Sequence, residues 1–184
     1  MVMQITNAQG PLAGARILPD AAGALPAPSG VPLKERWFED YVPGETFEFG
    51  DYPVTENEIV SFASRYDPQS FHVDPVAARE SPYGGLIASG WMTAAVVMKM
   101  MCAHFISAVS ALGSPGVDNL RWLRPVRPGD RLRVRVTILE TRPSTSKPDR
   151  GTVNLRQEAI NQDGDVVMSL EGRSMHRRRP ATPA

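Results

Sequence analysis

From Trp91 to Leu112 the sequence is apolar on nearly every side, and the run stops at Gly113. A helix of that length measures roughly 33 Å and ends on a residue suited to a helix C-terminus. The length would also cross a bilayer, but Lys99, His104, Ser107 and Ser110 lie inside the run and no second apolar segment exists, so a soluble core helix is the preferred reading. Met98, Met100 and Met101 read as adaptable core filler, Cys102 as a buried, inert thiol and His104 as a satisfied core residue. A helix with so little polar surface has to be covered by the rest of the chain.

The C-terminal half of the chain supplies that cover. After Pro115-Gly116, Leu132, Val134, Val136 and Ile138 alternate with Arg131, Arg133, Arg135 and Thr137, a strand with one buried and one wet face. Residues 117–124 lie before this strand and residues 151–160 after it. The turn Asn161-Gln162-Asp163-Gly164 then leads into Val166, Met168 and Leu170. Earlier in the chain, Phe47 and Phe49 alternate with Thr46 and Glu48 beyond the Pro43-Gly44 turn. The pattern is α+β, with a curved antiparallel sheet that must wrap around one long helix to bury it. Such a sheet leaves edge strands and an uncovered face, which favour a homodimer or a dimer of dimers.

The 184 residues, 42% hydrophobic, suffice for one domain with a real core. Twenty basic residues balance twenty acidic ones, so no general field captures nucleic acid or an anionic membrane, and a small neutral or acyl substrate is expected. A single cysteine forms no internal disulfide, consistent with a reducing cytoplasmic compartment. The first thirty residues hold fifteen Ala, Gly or Pro and two charges, Arg16 and Asp20, without the apolar core of a signal peptide. Prolines at 11, 19, 26 and 28 make residues 1–34 an expected disordered arm, with a partner-binding strand as the alternative. The folded domain is expected over residues 35–176, with a flexible basic tail over 177–184.

Chemistry is suggested between the opening strand and the long helix. Thr55-Glu56-Asn57-Glu58 has the capping-box spacing ahead of Ile59, Val60, Phe62 and Ala63, so a helix of about three turns brings the chain to Tyr66 and Asp67. Pro68 disfavours helical backbone at Asp67, which places the carboxylate where the helix ends. Asp74-Pro75 reads as the N-cap and first residue of another helix, leaving His72 on the connection between the two. Asp67 and His72 can therefore converge. Beyond them Gly84-Gly85-Leu86-Ile87-Ala88-Ser89-Gly90 opens the apolar helix, where freed amides can polarise a carbonyl. An acid/base pair beside such amides suits addition of water to an activated double bond. On residue type alone, however, Asp67-Pro68 is more often a turn and His72 a surface or helix-start residue, and the glycines can serve loop geometry and close packing alone. Arg131, Arg133 and Arg135 fit either coenzyme A phosphates or, more ordinarily, a solvated strand face.

Four stretches carry a resemblance: Phe38-Glu39-Asp40-Tyr41-Val42-Pro43-Gly44, Asp67-Pro68-Gln69-Ser70-Phe71-His72-Val73-Asp74, Ile87-Ala88-Ser89-Gly90, and Arg124-Pro125-Val126-Arg127-Pro128-Gly129-Asp130. From about Trp37 to His176 the chain resembles the MaoC-like dehydratases, hot-dog domains that include the (R)-specific enoyl-CoA hydratases. The resemblance implies a single hot-dog domain and a hydro-lyase that adds water to, or removes it from, a 2-enoyl-CoA or 3-hydroxyacyl-CoA type thioester. It places the catalytic roles on Asp67 and His72 and the oxyanion-binding amide on Gly90, and it puts Gln69, Gly85 and Ser89 next to substrate. Gln69 stands where the family has Asn, Tyr66 where it has Gly, and Ser89 where it commonly has His. No metal or redox cofactor is expected, coenzyme A being part of the substrate. The alternatives are a hot-dog protein that binds acyl thioesters without turnover and, ranked lower because residues 91–112 contain no Asp or Glu, a thioesterase.

Overall fold

The computed structural model describes residues 30–181 and, in backbone only, Arg16–Leu18. The sheet has seven strands: β1 (Arg16–Leu18), β2 (Thr46–Pro53), β3 (Ala111–Gly113), β4 (Val117–Trp122), β5 (Arg131–Pro143), β6 (Arg150–Ile160) and β7 (Val166–Arg177). They run in the order β1-β2-β5-β6-β7-β3, with β4 also on β7, and every pairing is antiparallel. Between β2 and β3 come α1 (Glu56–Tyr66), α2 (Ser70–Val73), α3 (Pro75–Glu80) and α4 (Gly90–His104). The sheet curves around α4 as expected: Phe47, Phe49, Leu132, Val134, Val136, Val153 and Leu155 pack with Met92, Val96, Val97, Met100 and Met101 in one buried cluster. Gly50, at φ +83°, lies at the bulge in β2 and lets Met100 approach the backbone so closely that a side chain there would overlap its sulfur. No helix among the described residues is long and apolar enough to cross a membrane.

The central helix is shorter than its apolar run. It ends at His104, and Phe105 and Ile106 both donate to the Met101 carbonyl, at 2.9 and 2.8 Å. Residues 107–110 then satisfy their polar groups against the N-terminal segment instead of a further helical turn. The Ser107 and Ser110 hydroxyls donate to the Arg36 carbonyl at 2.8 and 2.6 Å, and the Ala108 amide donates to the Lys34 carbonyl at 2.8 Å. That leaves residues 111–113 free to pair with β7. Burial of the helix is one-sided too. Met100 and Met101 fill the core, but Met98 is 49% exposed, and Trp91 and Cys102 also face outward. Cys102 is therefore an exposed thiol, and the helix presents an apolar stripe to the outside. His104 is half-buried, and its Nε2 is buried with no hydrogen-bond partner among the described residues, so it is not the satisfied core residue expected.

Both termini hold more structure than their composition announces. Of the expected disordered arm, Arg16–Leu18 pair with Thr46–Glu48 of β2, and the chain from Gly30 onward is ordered, with Leu33–Glu35 in a 3₁₀ turn; the remainder of the arm lies outside the described residues. Arg36 forms a buried ion pair with Glu45 at 2.6 Å that fixes this segment to the start of β2. Residues 177–179, the start of the expected flexible tail, are tied to the domain, and residues 182–184 lie outside the described residues. Arg177 donates its amide to Ser110, Arg178 reaches Glu39 at 2.8 Å, and Arg179 embraces Asp40 with two bonds of 2.9 and 2.7 Å. On the outer sheet face Arg131 pairs with Asp51 in solvent, as expected of a solvated face, whereas Arg133 and Arg135 are half-buried and converge on the buried Glu48 carboxylate at 3.6 and 2.8 Å.

Candidate active site

Three local signals act as the sequence implies. The Thr55 hydroxyl accepts the Glu58 amide at 3.2 Å to start α1, and the Asp74 carboxylate accepts the amides of Val76 and Ala77 at 2.8 and 3.1 Å to start α3. At the other end of α1, Asp67 is the C-cap, with φ −156° and ψ 65°, non-helical backbone that the following proline requires. A tight turn, closed by the Gln69 amide on the Asp67 carbonyl at 2.8 Å, then leads into the four residues of α2 that carry His72.

The two side chains converge. His72 Nε2 lies 3.4 Å from Asp67 Oδ2, with His72 buried and Asp67 partly open. His72 Nδ1 is 2.8 Å from the Ile87 carbonyl. A carbonyl only accepts, so Nδ1 carries a proton, and a neutral ring then presents the lone pair of Nε2 toward Asp67. The carboxylate is held differently. Ser89 Oγ donates to Oδ2 at 2.7 Å and Gln69 Nε2 donates to Oδ1 at 2.7 Å. These two bonds, Ser89's first, keep the Asp67 carboxyl below the ordinary carboxylate range, and His72 adds to them when its ring carries a charge. The pair thus joins a group held as an anion to a base with a fixed tautomer.

Both face a cleft of about 580 Å³ lined by Tyr66, Gln69, Phe71, Gly90, Trp91 and Trp122, among others. Gly90 is the first residue of α4, so its N–H has no partner within the helix. The Trp122 ring rests on Gly90 so closely that a Cβ there would overlap it, and Trp91 meets Trp122 edge to face with centroids 5.4 Å apart. Of the residues expected beside substrate, Gln69 lines the cleft. Ser89 is fully buried behind it, and Gly85 stands apart from it beside the Arg127 guanidinium. The Ile87 carbonyl, Trp91, Trp122 and Arg124 also belong to the site, although no sequence motif assigns them a role there. Ile87 sits in the glycine-rich entrance and Arg124 opens the Arg-Pro-Val-Arg-Pro-Gly-Asp stretch, whereas nothing in the local pattern marks Trp122. Among the described residues there is no cluster of three or more His, Cys, Asp or Glu side chains that could hold a metal.

A curved antiparallel sheet around one helix, with a carboxylate and an imidazole beside the helix entrance, defines a hot-dog domain. The chain belongs to the MaoC-like family, whose domain, described as MaoC like, matches residues 39–160. The crystal structure of a MaoC-like dehydratase from Rhodospirillum rubrum is 38% identical, superposes with a TM-score of 0.74, and covers 79% of this chain and 99% of that one. A mesaconyl-CoA hydratase from Cereibacter sphaeroides is 29% identical over 158 residues, 81% of this chain and 43% of that protein. A 3-hydroxyacyl-thioester dehydratase Z from Mycobacterium tuberculosis is 31% identical over 88 residues, 47% of this chain and 58% of that protein. The chain spans less than two thirds of the length of each of these last two relatives.

Proposed function

We propose that the chain is a hydro-lyase acting reversibly on a 2-enoyl thioester, with coenzyme A as the carrier and part of the substrate. The observation that carries this is the opposed anchoring of Asp67 and His72 at the mouth of α4. A water between them donates one O–H to Nε2 and the other to Oδ2. His72 takes the proton as the water oxygen bonds to the β-carbon, the C=C π electrons move toward the thioester, and negative charge accumulates on its oxygen. The Gly90 N–H and the positive end of α4 stabilise that oxygen. The imidazolium then gives a proton to the α-carbon, so the elements of water are added and His72 is returned neutral. Asp67 stays ionised throughout, orienting the water and stabilising the imidazolium. Gln69 forms the cleft floor and shares in holding Asp67. A homodimer is the working unit of this reading, supported by the rim of the cleft at Trp91, Trp122 and Leu123, which is exposed in one copy and which a second copy would cover.

Loss of enoyl absorbance across thioesters from crotonyl-CoA to long, branched and carboxylated enoyl-CoAs tests the reading. Turnover of at least one substrate is expected, with Asp67→Asn and His72→Gln each lowering kcat by about 10²–10⁴-fold. Tight acyl-CoA binding by a folded protein that turns over nothing on the panel would instead favour a non-catalytic acyl-thioester-binding protein.

A further inference from the structure

The geometry points to Ser89 as a positioning residue that ties the Asp67 carboxylate to the entrance of α4, and this rests on the hydration chemistry proposed above. Asp67 and His72 arrive on one stretch of chain and Gly90 on another, so the acid/base pair and the oxyanion-binding amide keep a fixed separation only if something joins the two walls. The His72–Ile87 bond does so for the imidazole, and Ser89 does so for the carboxylate. Its Oγ donates to Asp67 Oδ2, the oxygen that faces His72 Nε2, at 2.7 Å. The same Oγ accepts the Trp91 amide at 3.2 Å as the N-cap of α4. With one lone pair taken by the helix, the single hydroxyl proton is aimed at the carboxylate. Gln69 is no substitute, because it lies on the same turn as Asp67 and moves with it. Ser89 is fully buried, and its carbonyl is held by the Thr93 amide at 3.1 Å and the Thr93 hydroxyl at 3.3 Å, so the hydroxyl is presented from a fixed backbone and solvent reaches the bond only from the Asp67 side.

The N-cap role and the positioning role are separable. Glycine is nearly as good an N-cap as serine but has no hydroxyl, and threonine keeps both functions. In Ser89→Gly, kcat is expected to fall about 10- to 100-fold with KM within about twofold, as for loss of alignment rather than of substrate contact. A ¹³C NMR titration of the Asp67 carboxyl in the full chain is expected to show its midpoint rising toward the ordinary carboxylate value in Ser89→Gly. Ser89→Thr is expected to restore both readouts. If Ser89→Gly changes the melting temperature but neither kcat nor the Asp67 midpoint, Ser89 is only a helix cap and the inference fails. The titration needs no turnover, so a parent inactive on every thioester would sink the hydration reading while leaving the Ser89–Asp67 linkage open to measurement: a midpoint that moves supports it and one that stays overturns it.

Discussion

Two histidines show how position decides what the same ring can do. His176 is buried with Nδ1 3.0 Å from the Ser110 hydroxyl, Nε2 2.9 Å from the Ser174 hydroxyl and its ring 4.5 Å from that of Tyr41. With no carboxylate among these neighbours, burial lowers its pKa from 6.5 to about 4. The unfolded chain therefore binds a proton at this site before the folded one does. Its share of stability is intact above about pH 6.5 and is lost as pH falls toward 4. Between pH 7.5 and pH 5 this amounts to about 2 kcal/mol. Urea unfolding at the two pH values should show the parent losing about that much more than His176→Asn, and equal losses would remove His176 as the cause. His72, by contrast, keeps Nε2 at the cleft beside an anion. Its partnership with Asp67 is legible in the sequence because Pro68 and the Asp74 cap are local instructions. The Ile87 carbonyl that sets its tautomer and the Ser89 hydroxyl that holds Asp67 come from fifteen and twenty-two residues away, and only tertiary packing reveals them.

At the level of elements, the entrance of α4 is the most constrained point. Trp122 of β4 lies against Gly90 with no room for a methyl group, yet its indole is 47% exposed and can swing outward. Gly90→Ala should therefore fold, destabilised by about 1–3 kcal/mol, with Trp122 displaced from the cleft and kcat reduced about 10-fold or more. Gly90→Ala combined with Trp122→Ala should recover most of the lost stability, a non-additivity measurable as a double-mutant cycle. Additive losses would show that the strain lies elsewhere. The start of α4 can be read from its glycines and serine, but its end cannot. The apolar run continues past His104 into residues that belong to a turn and to β3, and hydropathy cannot tell a buried helix from a buried turn whose polar groups Lys34 and Arg36 satisfy. Arg178 and Arg179 mislead for a similar reason: a run of arginines resembles a solvated tail until Glu39 and Asp40, some 140 residues earlier, are brought beside it.

For the whole molecule, the outward face of α4 and the edge strand β4 form one apolar strip. At one end Trp91, 60% exposed, meets Trp122; at the other Met98 and Val117 line a common groove. Among the described strands β4 pairs only with β7, so its free edge runs beside this strip. A second copy is the occupant that satisfies both features, since edge-to-edge pairing of two β4 strands continues the sheet and brings the two strips together. Sedimentation velocity at micromolar concentration should find the parent at twice the 20.1 kDa chain mass and Met98→Glu/Val117→Lys shifted toward the single chain. Met98 and Val117 are both exposed in one copy, so circular dichroism should remain that of the parent. Trp91, Trp122 and Leu123 line the cleft and are exposed in one copy, so losing the partner should uncover one wall of the acyl site and raise KM for enoyl thioesters more than it lowers kcat. A parent that sediments as a single chain would show instead that the strip is not a self-association surface and that each cleft is complete in one copy.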